Sequence, residues 1–209
     1  SLHSLQRLPA IANYDEERCD ETLKALESTT QVPTLRLLSM SLAPPWLRDD
    51  WDDALSRLPA DAAGPWLEVT AERRGSPPEE VDTTYADWGL MLTGRAHDAG
   101  VPIGAGTDTP IALAVPGFSL HSELEFLVRA GLSPIEALES ATVIPAEYFS
   151  LQDEMGSIDV GKRADMVLLG ANPLDDIANT KSVSAVVSKG RYLNREELDA
   201  LSISFSSSP

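Results

Sequence analysis

Asp108 closes an apolar run, Val101-Pro102-Ile103-Gly104-Ala105-Gly106-Thr107, and Thr109-Pro110 follow it. The run suits a buried strand, and its glycines suit a backbone that something approaches closely. A carboxylate where a parallel strand gives way to a loop stands where barrel enzymes place catalytic groups. An aspartate before Thr-Pro also serves as a turn or cap residue, so the position alone leaves both roles open. Two candidate substrate contacts accompany it: Thr109 is its neighbour, and His121 opens a helix facing the same loop, where a histidine can equally be structural. His97 falls in the last turn of a helix and is read as stabilising that helix's dipole, not as a metal ligand. Cys19 is the single cysteine. It lies on the apolar side of a helical pattern and reads as core; alone it forms neither an intramolecular disulfide nor a cysteine-based zinc site.

An α/β scaffold has to position these groups. Asn13-Tyr14-Asp15-Glu16 predicts a helix start capped by Asn13, with Cys19, Leu23 and Leu26 on its buried face. Val32-Pro33-Thr34-Leu35, continuing to Leu38, predicts a strand with Pro33 at its start or on an edge. Residues 42–78 differ in character: Pro44-Pro45, Pro59, Pro65 and Pro77-Pro78 stand among Trp46, Trp51 and Trp66. They predict a lid or pocket wall around a short helix over 47–58. Pro78-Glu79-Glu80 predicts a helix start, with Val81, Tyr85, Trp88, Leu92 and Ala96 on one face and Gly100 at the end. Ser122 and Glu125 predict a capping box for a helix carrying Leu120, Leu124, Leu127 and Val128, closed by Gly131. Ser133-Pro134-Ile135-Glu136 predicts a second box, opening a helix that stops near Pro145. Three short strands, over 156–162, 164–170 and 183–188, predict a small β unit with the middle one buried. Residues 204–209 predict a fraying tail.

The chain has 209 residues, 43% of them hydrophobic and 23% charged, the composition of a soluble globular protein. Sixteen Lys and Arg face 33 Asp and Glu, giving a net charge of −17 that repels nucleic acid and anionic membranes. No run approaches the ~18 apolar residues of a membrane span. The first residues lack a basic region followed by an apolar stretch, so no signal peptide is predicted and a cytoplasmic location is expected. Starting without Met and partway through a plausible helix, the sequence reads as a fragment.

Taken in order, these pieces resemble the C-terminal half of the amidohydrolase superfamily, in its imidazolonepropionase- and prolidase-like branch. Gly100-Val101-Pro102-Ile103 through Gly106-Thr107-Asp108 resembles that family's eighth barrel strand. His121-Ser122-Glu123-Leu124-Glu125, Ala130-Gly131-Leu132-Ser133-Pro134, Glu136-Ala137-Leu138 and Ala141-Thr142 resemble the helix pair after it. Gly156-Ser157-Ile158, Gly161-Lys162, Ala164-Asp165 and Asn172-Pro173-Leu174 resemble the return into its β-sandwich. Val143-Ile144 departs from the family pattern, which often has Asn before the proline.

The resemblance implies an α/β fold: the C-terminal part of a TIM-like (β/α)8 metal-dependent hydrolase barrel over residues 1–150, with a lid-like insertion at about 42–78. A β-sandwich portion over 151–203 and a flexible tail over 204–209 would follow. It implies that Asp108 binds a divalent metal, zinc in one or two ions, and moves a proton from the bound water. The reaction would be hydrolysis of a C–N bond in a small-molecule amide, cyclic amide or dipeptide. The family's other ligands, a His-x-His pair, a lysine or acidic bridge and two histidines, come from earlier strands. His3, His97 and His121 match none of them, and one carboxylate does not hold catalytic zinc, which needs about three protein ligands. The expectation is therefore a fragment inactive alone, binding no metal by itself, that self-associates or pairs with the missing barrel portion. Two alternatives stand beside it: a degenerate or truncated non-catalytic module, and an aryldialkylphosphatase-like esterase.

Overall fold

The computed structural model describes residues 2–77 and 80–206. Helices dominate the first two-thirds. They are α1 (Leu2–Ala12), α2 (Glu16–Ala25), α3 (Ser39–Leu42), α4 (Asp49–Leu55), α5 (Ala60–Gly75), α6 (Thr84–Asp98), α7 (Ser119–Ala130), α8 (Pro134–Ser140) and α9 (Val143–Tyr148). Three strands, β1 (Met166–Leu169), β2 (Val183–Ser188) and β3 (Arg191–Asn194), form an antiparallel sheet in sequence order, and α10 (Arg195–Ser206) follows.

The main core lies between α6, α7 and the apolar stretch before Asp108. Leu90, Ala96, Val101, Ile103, Leu124, Leu127 and Leu132 are all buried in it, and Leu35 and Leu38 close one side. Helix α6 presents Ala86, Leu90, Thr93 and Ala96 inward. The helical period is as predicted, but the buried face is turned, and Tyr85 stays outside it. The reason is close packing: a Cβ on Gly94 would fall 2.3 Å from the Ala130 carbonyl oxygen, so glycine lets α6 meet the end of α7. Cys19 is half-buried against this core.

Several local expectations are corrected. Asp15, not Asn13, caps α2 by accepting from the Arg18 amide at 2.9 Å. Asn13 instead donates to the Pro9 carbonyl at the end of α1. The Pro78-Glu79 start lies outside the described residues, and α6 begins at Thr84. Ser122 and Glu125 form no capping box, because α7 already starts at Ser119 and Ser122 is buried inside it. The Ser133–Glu136 box is present, with the Ser133 amide donating to Glu136 at 2.7 Å. Its helix ends at Ser140, and α9 begins anew at Val143.

The strand predicted over 32–38 is a single parallel bridge between Gln31 and Ile103, followed by a 3-10 turn at Leu35–Leu38. The strand predicted before Asp108 is an extended stretch with that one bridge. Its amides are engaged elsewhere: Val101 donates to Ala96 and Ala105 to Ser140. Residues 42–77 are largely helical, as α4 and α5, where one short helix over 47–58 was predicted. Residues 156–162 form turns, and the third strand is β3, across a Lys189-Gly190 turn with both φ values positive. Val167 and Leu168 of β1 are 56% and 60% exposed, so that strand is not buried. Residues 204–206 continue α10, and the rest of the predicted tail lies outside the described residues.

Candidate functional site

The stretch leading to Asp108 is fastened from two sides. The Gln31 amide donates to the Pro102 carbonyl at 2.9 Å, and the Gly104 amide to Gln31 at 2.8 Å. A Cβ on Gly106 would lie 2.4 Å from Val32 Cγ1, which is the close approach the glycines predict. Asp108 itself is exposed and holds φ +50, a left-handed conformation that aspartate tolerates better than most residues. Its carbonyl accepts the Ile111 amide at 2.9 Å, so the chain turns back at once.

Ala112 and Leu113 then adopt φ +47 and +62. Neither gains anything intrinsic there, and each such residue costs roughly 1–2 kcal/mol. The surroundings hold them by four successive carbonyls, each accepting from a side chain. Arg36 donates to Ile111 O at 2.6 Å and to Ala112 O at 3.1 Å. Trp51 Nε1 donates to Leu113 O at 3.1 Å, and the Thr109 hydroxyl to Ala114 O at 2.6 Å. Thr109 thus braces the loop beside Asp108 through its side chain.

The insertion explains Trp51. Trp46, Trp51, Ala54, Leu55 and Ala63 pack with Leu113 and Val115 in a second buried cluster, to which Trp66 and Phe118 are added at the edge. The tryptophan-rich segment therefore packs against the loop that follows Asp108.

Arg36 is 2% exposed and Glu123 0%, and they meet at the base of the loop. Glu123 Oε2 accepts the Arg36 amide at 2.6 Å, and the neighbouring Leu35 amide also favours the ionised carboxylate. These are the first amides of the 3-10 turn, which Thr34, itself at φ +53, leaves without a side-chain cap. A residue 87 positions away in α7 caps the turn instead. This is why residues 35–38 leave the predicted strand. Burial pushes the Glu123 carboxyl up to about 7, against these amides and the Arg36 charge. Burial likewise lowers the Arg36 guanidinium, while Glu123 and Asp108 pull it back up.

His121 lies in the first turn of α7, and its Nδ1 is 2.9 Å from the Thr180 hydroxyl, with Phe118 edge-on. Burial first, and Lys181 second, lower its pKa, which favours the neutral ring. Around it, Lys181 bridges Glu125 at 2.6 Å and Asp50 at 3.0 Å, and Arg48 bonds Asp50 and Ser122. His97 ends α6 with Nε2 3.4 Å from Glu136. Sequence reasoning gave Arg36 no role, and named Trp51 and Glu123 without assigning either to the support of this loop. A signal existed for Glu123: it shares the helical stripe of Leu120, Leu124 and Leu127, where a carboxylate must be buried. Arg36 likewise interrupts the apolar run Leu35–Leu38.

Among the described residues, no three or more His, Cys, Asp or Glu side chains converge to hold a metal ion. Asp108 has carboxylate chemistry suited to one ligand position, but catalytic zinc takes about three protein ligands. Among the described residues no such set accompanies Asp108. No helix among the described residues is long and apolar enough to cross a membrane.

The profile of the amidohydrolase family matches residues 86–193. Imidazolonepropionase of Streptococcus gordonii is 33% identical over 100 residues, 46% of this chain and 29% of that protein. Ochratoxinase of Aspergillus niger is 37% identical over 103 residues, 48% of this chain and 20% of that protein. The ochratoxinase crystal structure superposes with a TM-score of 0.56 at 27% identity, covering 86% of this chain and 35% of that one. A Xaa-Pro dipeptidase structure gives a TM-score of 0.57 over 86% of this chain and 37% of that one, a likeness of fold at 23% identity. The chain thus spans about a fifth to a third of the length of the curated relatives it matches.

Proposed function

Because this chain belongs to the amidohydrolase family, we propose that it carries one side of a hydrolase site that cleaves C–N bonds in small molecules: amides, cyclic amides or dipeptides. The observation that carries the reading is Asp108, exposed at the end of the extended stretch, in a left-handed conformation that a stapled loop maintains. An exposed, positioned carboxylate can accept a proton as water attacks a carbonyl carbon, then return it to the leaving nitrogen as the C–N bond breaks. Thr109 and His121 are the candidate substrate contacts, Thr109 beside the carboxylate and His121 beyond the loop on α7. The family's divalent metal, zinc by our reading, would need ligands beyond those of this chain, and no step is routed through it. The missing ligands would come from a further barrel portion with which this chain pairs. Residues 1–150 would be the barrel part and 151–203 the sandwich part.

A second reading is a non-catalytic module. It is favoured by the engagement of His121 with Thr180 and of His97 with Glu136, which commits both imidazoles to the chain's own packing. Asp108→Asn in the complete reading frame separates the two. Turnover of an amide, cyclic amide or dipeptide should fall by roughly 10²-fold or more with the circular dichroism spectrum retained. Near-normal turnover in the variant would remove Asp108 from the chemistry. A parent that hydrolyses none of these substrates supports the module, and one that takes only phosphotriesters supports an esterase.

A further inference from the structure

We infer that Arg36 and Glu123 are positioning residues for Asp108, linked in series from helix α7 to the loop that carries it. The inference rests on the reading of Asp108 as a functional carboxylate. Glu123 is wholly buried, and its Oε2 takes the Arg36 amide at 2.6 Å. That bond fixes the start of the 3-10 turn that Thr34 does not cap. The turn aims the Arg36 side chain, itself buried, at Ile111 O and Ala112 O. The Ile111 amide in turn closes on the Asp108 carbonyl, so Arg36 holds the residue that closes the turn at Asp108.

Three features argue that this arrangement does more than fill the interior. Two ionisable groups are buried where apolar residues of similar volume are commonly at least as stabilising. Both ends of the Arg36 link meet unusual backbone: Thr34 on one side, Asp108, Ala112 and Leu113 on the other, all at positive φ. Such conformations persist only where the surroundings over-determine them. Finally, Glu123 Oε1 and Arg36 Nε have no hydrogen-bond partner, so part of the pairing capacity of both groups is forgone in favour of backbone contacts. Each side chain is directed at main chain, and that main chain leads to Asp108.

Amide hydrogen exchange on the 209-residue chain, without added metal, tests the link. Arg36→Met should speed exchange of the Ile111 and Ala114 amides by about tenfold or more relative to the Val186 and Val187 amides of the sheet. Arg36→Lys, which keeps the charge but not the two-pronged donor, should fall between. Glu123→Gln retains an acceptor for the Arg36 amide and should preserve loop protection, whereas Glu123→Ala should lose it as Arg36→Met does. Rescue by glutamine distinguishes aiming of the turn from mere filling of space. If Arg36→Met does not fold, Arg36→Lys and the Gln/Ala pair carry the test. Loop protection within twofold of wild type in the folded Arg36 variants, or equal loss in Glu123→Gln and Glu123→Ala, would overturn the inference. Exchange is read without turnover, so a harmless Asp108→Asn refutes the functional reading and leaves this outcome standing. Lost turnover in Asp108→Asn with undisturbed exchange in Arg36→Lys and Arg36→Met does the reverse.

Discussion

At the scale of single residues, Glu123 makes the most specific demand on the solvent. Its carboxyl is pushed up to about 7 by burial, so the folded chain holds this proton more tightly than the unfolded chain does. The stabilisation is complete below the unfolded carboxyl pKa of about 4.3 and is lost as pH rises through about 7. A tenfold difference in proton affinity corresponds to about 1.4 kcal/mol, which puts the loss between about pH 5 and pH 8 at about 2–3 kcal/mol. Urea unfolding at the two pH values should show that loss in the wild type and a correspondingly flatter dependence in Glu123→Gln, whose side chain stays neutral throughout. Parallel pH profiles would show that Glu123 is ionised in the fold across the range. Asp108, Thr109 and His121 were all visible as candidates in the sequence. Arg36 and Trp51 were not visible as loop donors, because their partners are carbonyls 75 and 62 positions away.

At the scale of elements, two glycines inside helices should respond with opposite sign. Gly94 lets α6 cross the Ala130 carbonyl, where a Cβ would sit at 2.3 Å against backbone that cannot swing aside. Gly94→Ala should therefore destabilise by about 1–3 kcal/mol, outweighing the gain in helix propensity of about 1 kcal/mol. Gly75, the last residue of α5, has open space where its Cβ would stand, and no proline follows it. Gly75→Ala should stabilise by about 0.5 kcal/mol. Thermal melts of both variants check the contrast, and shifts of the same sign would mean that the α6–α7 approach is looser than the distance indicates. Element boundaries were legible where a local signal decides them, as with the Ser133–Glu136 box. They were misread where a distant group intervenes. The apolar residues of 32–38 do read as a strand, but the Arg36 amide bonds Glu123 and no ladder can form through it.

For the whole molecule, the excess of 33 acidic over 16 basic residues is the dominant electrostatic fact. Ion pairs such as Arg74–Asp52 and Arg195–Asp199 are largely solvent-exposed and contribute little each. Long-range repulsion among the remaining carboxylates should therefore govern the response to salt. Raising sodium chloride from about 50 mM to about 0.5 M shortens the screening length from more than 10 Å to roughly 4–5 Å. The urea midpoint should rise over that range at neutral pH. A falling midpoint would assign the larger share to attractive pairs, with the Arg48–Asp50–Lys181–Glu125 group the first to examine.

The sequence by itself determined the family, the acidic surface, the period of the main helices and the carboxylate on which the proposed chemistry turns. These follow from side-chain type and local spacing, which need no knowledge of distant residues. Tertiary structure decided how Asp108 is held. Glu123 caps a turn 87 positions away, Arg36 reaches the carbonyls beyond Asp108, and Trp51 brings the insertion onto the same loop. Hydrogen bonds between groups so far apart leave no periodic trace in the chain. Their only mark in the sequence is a buried charge in an apolar stripe, and only the folded chain shows what that charge holds.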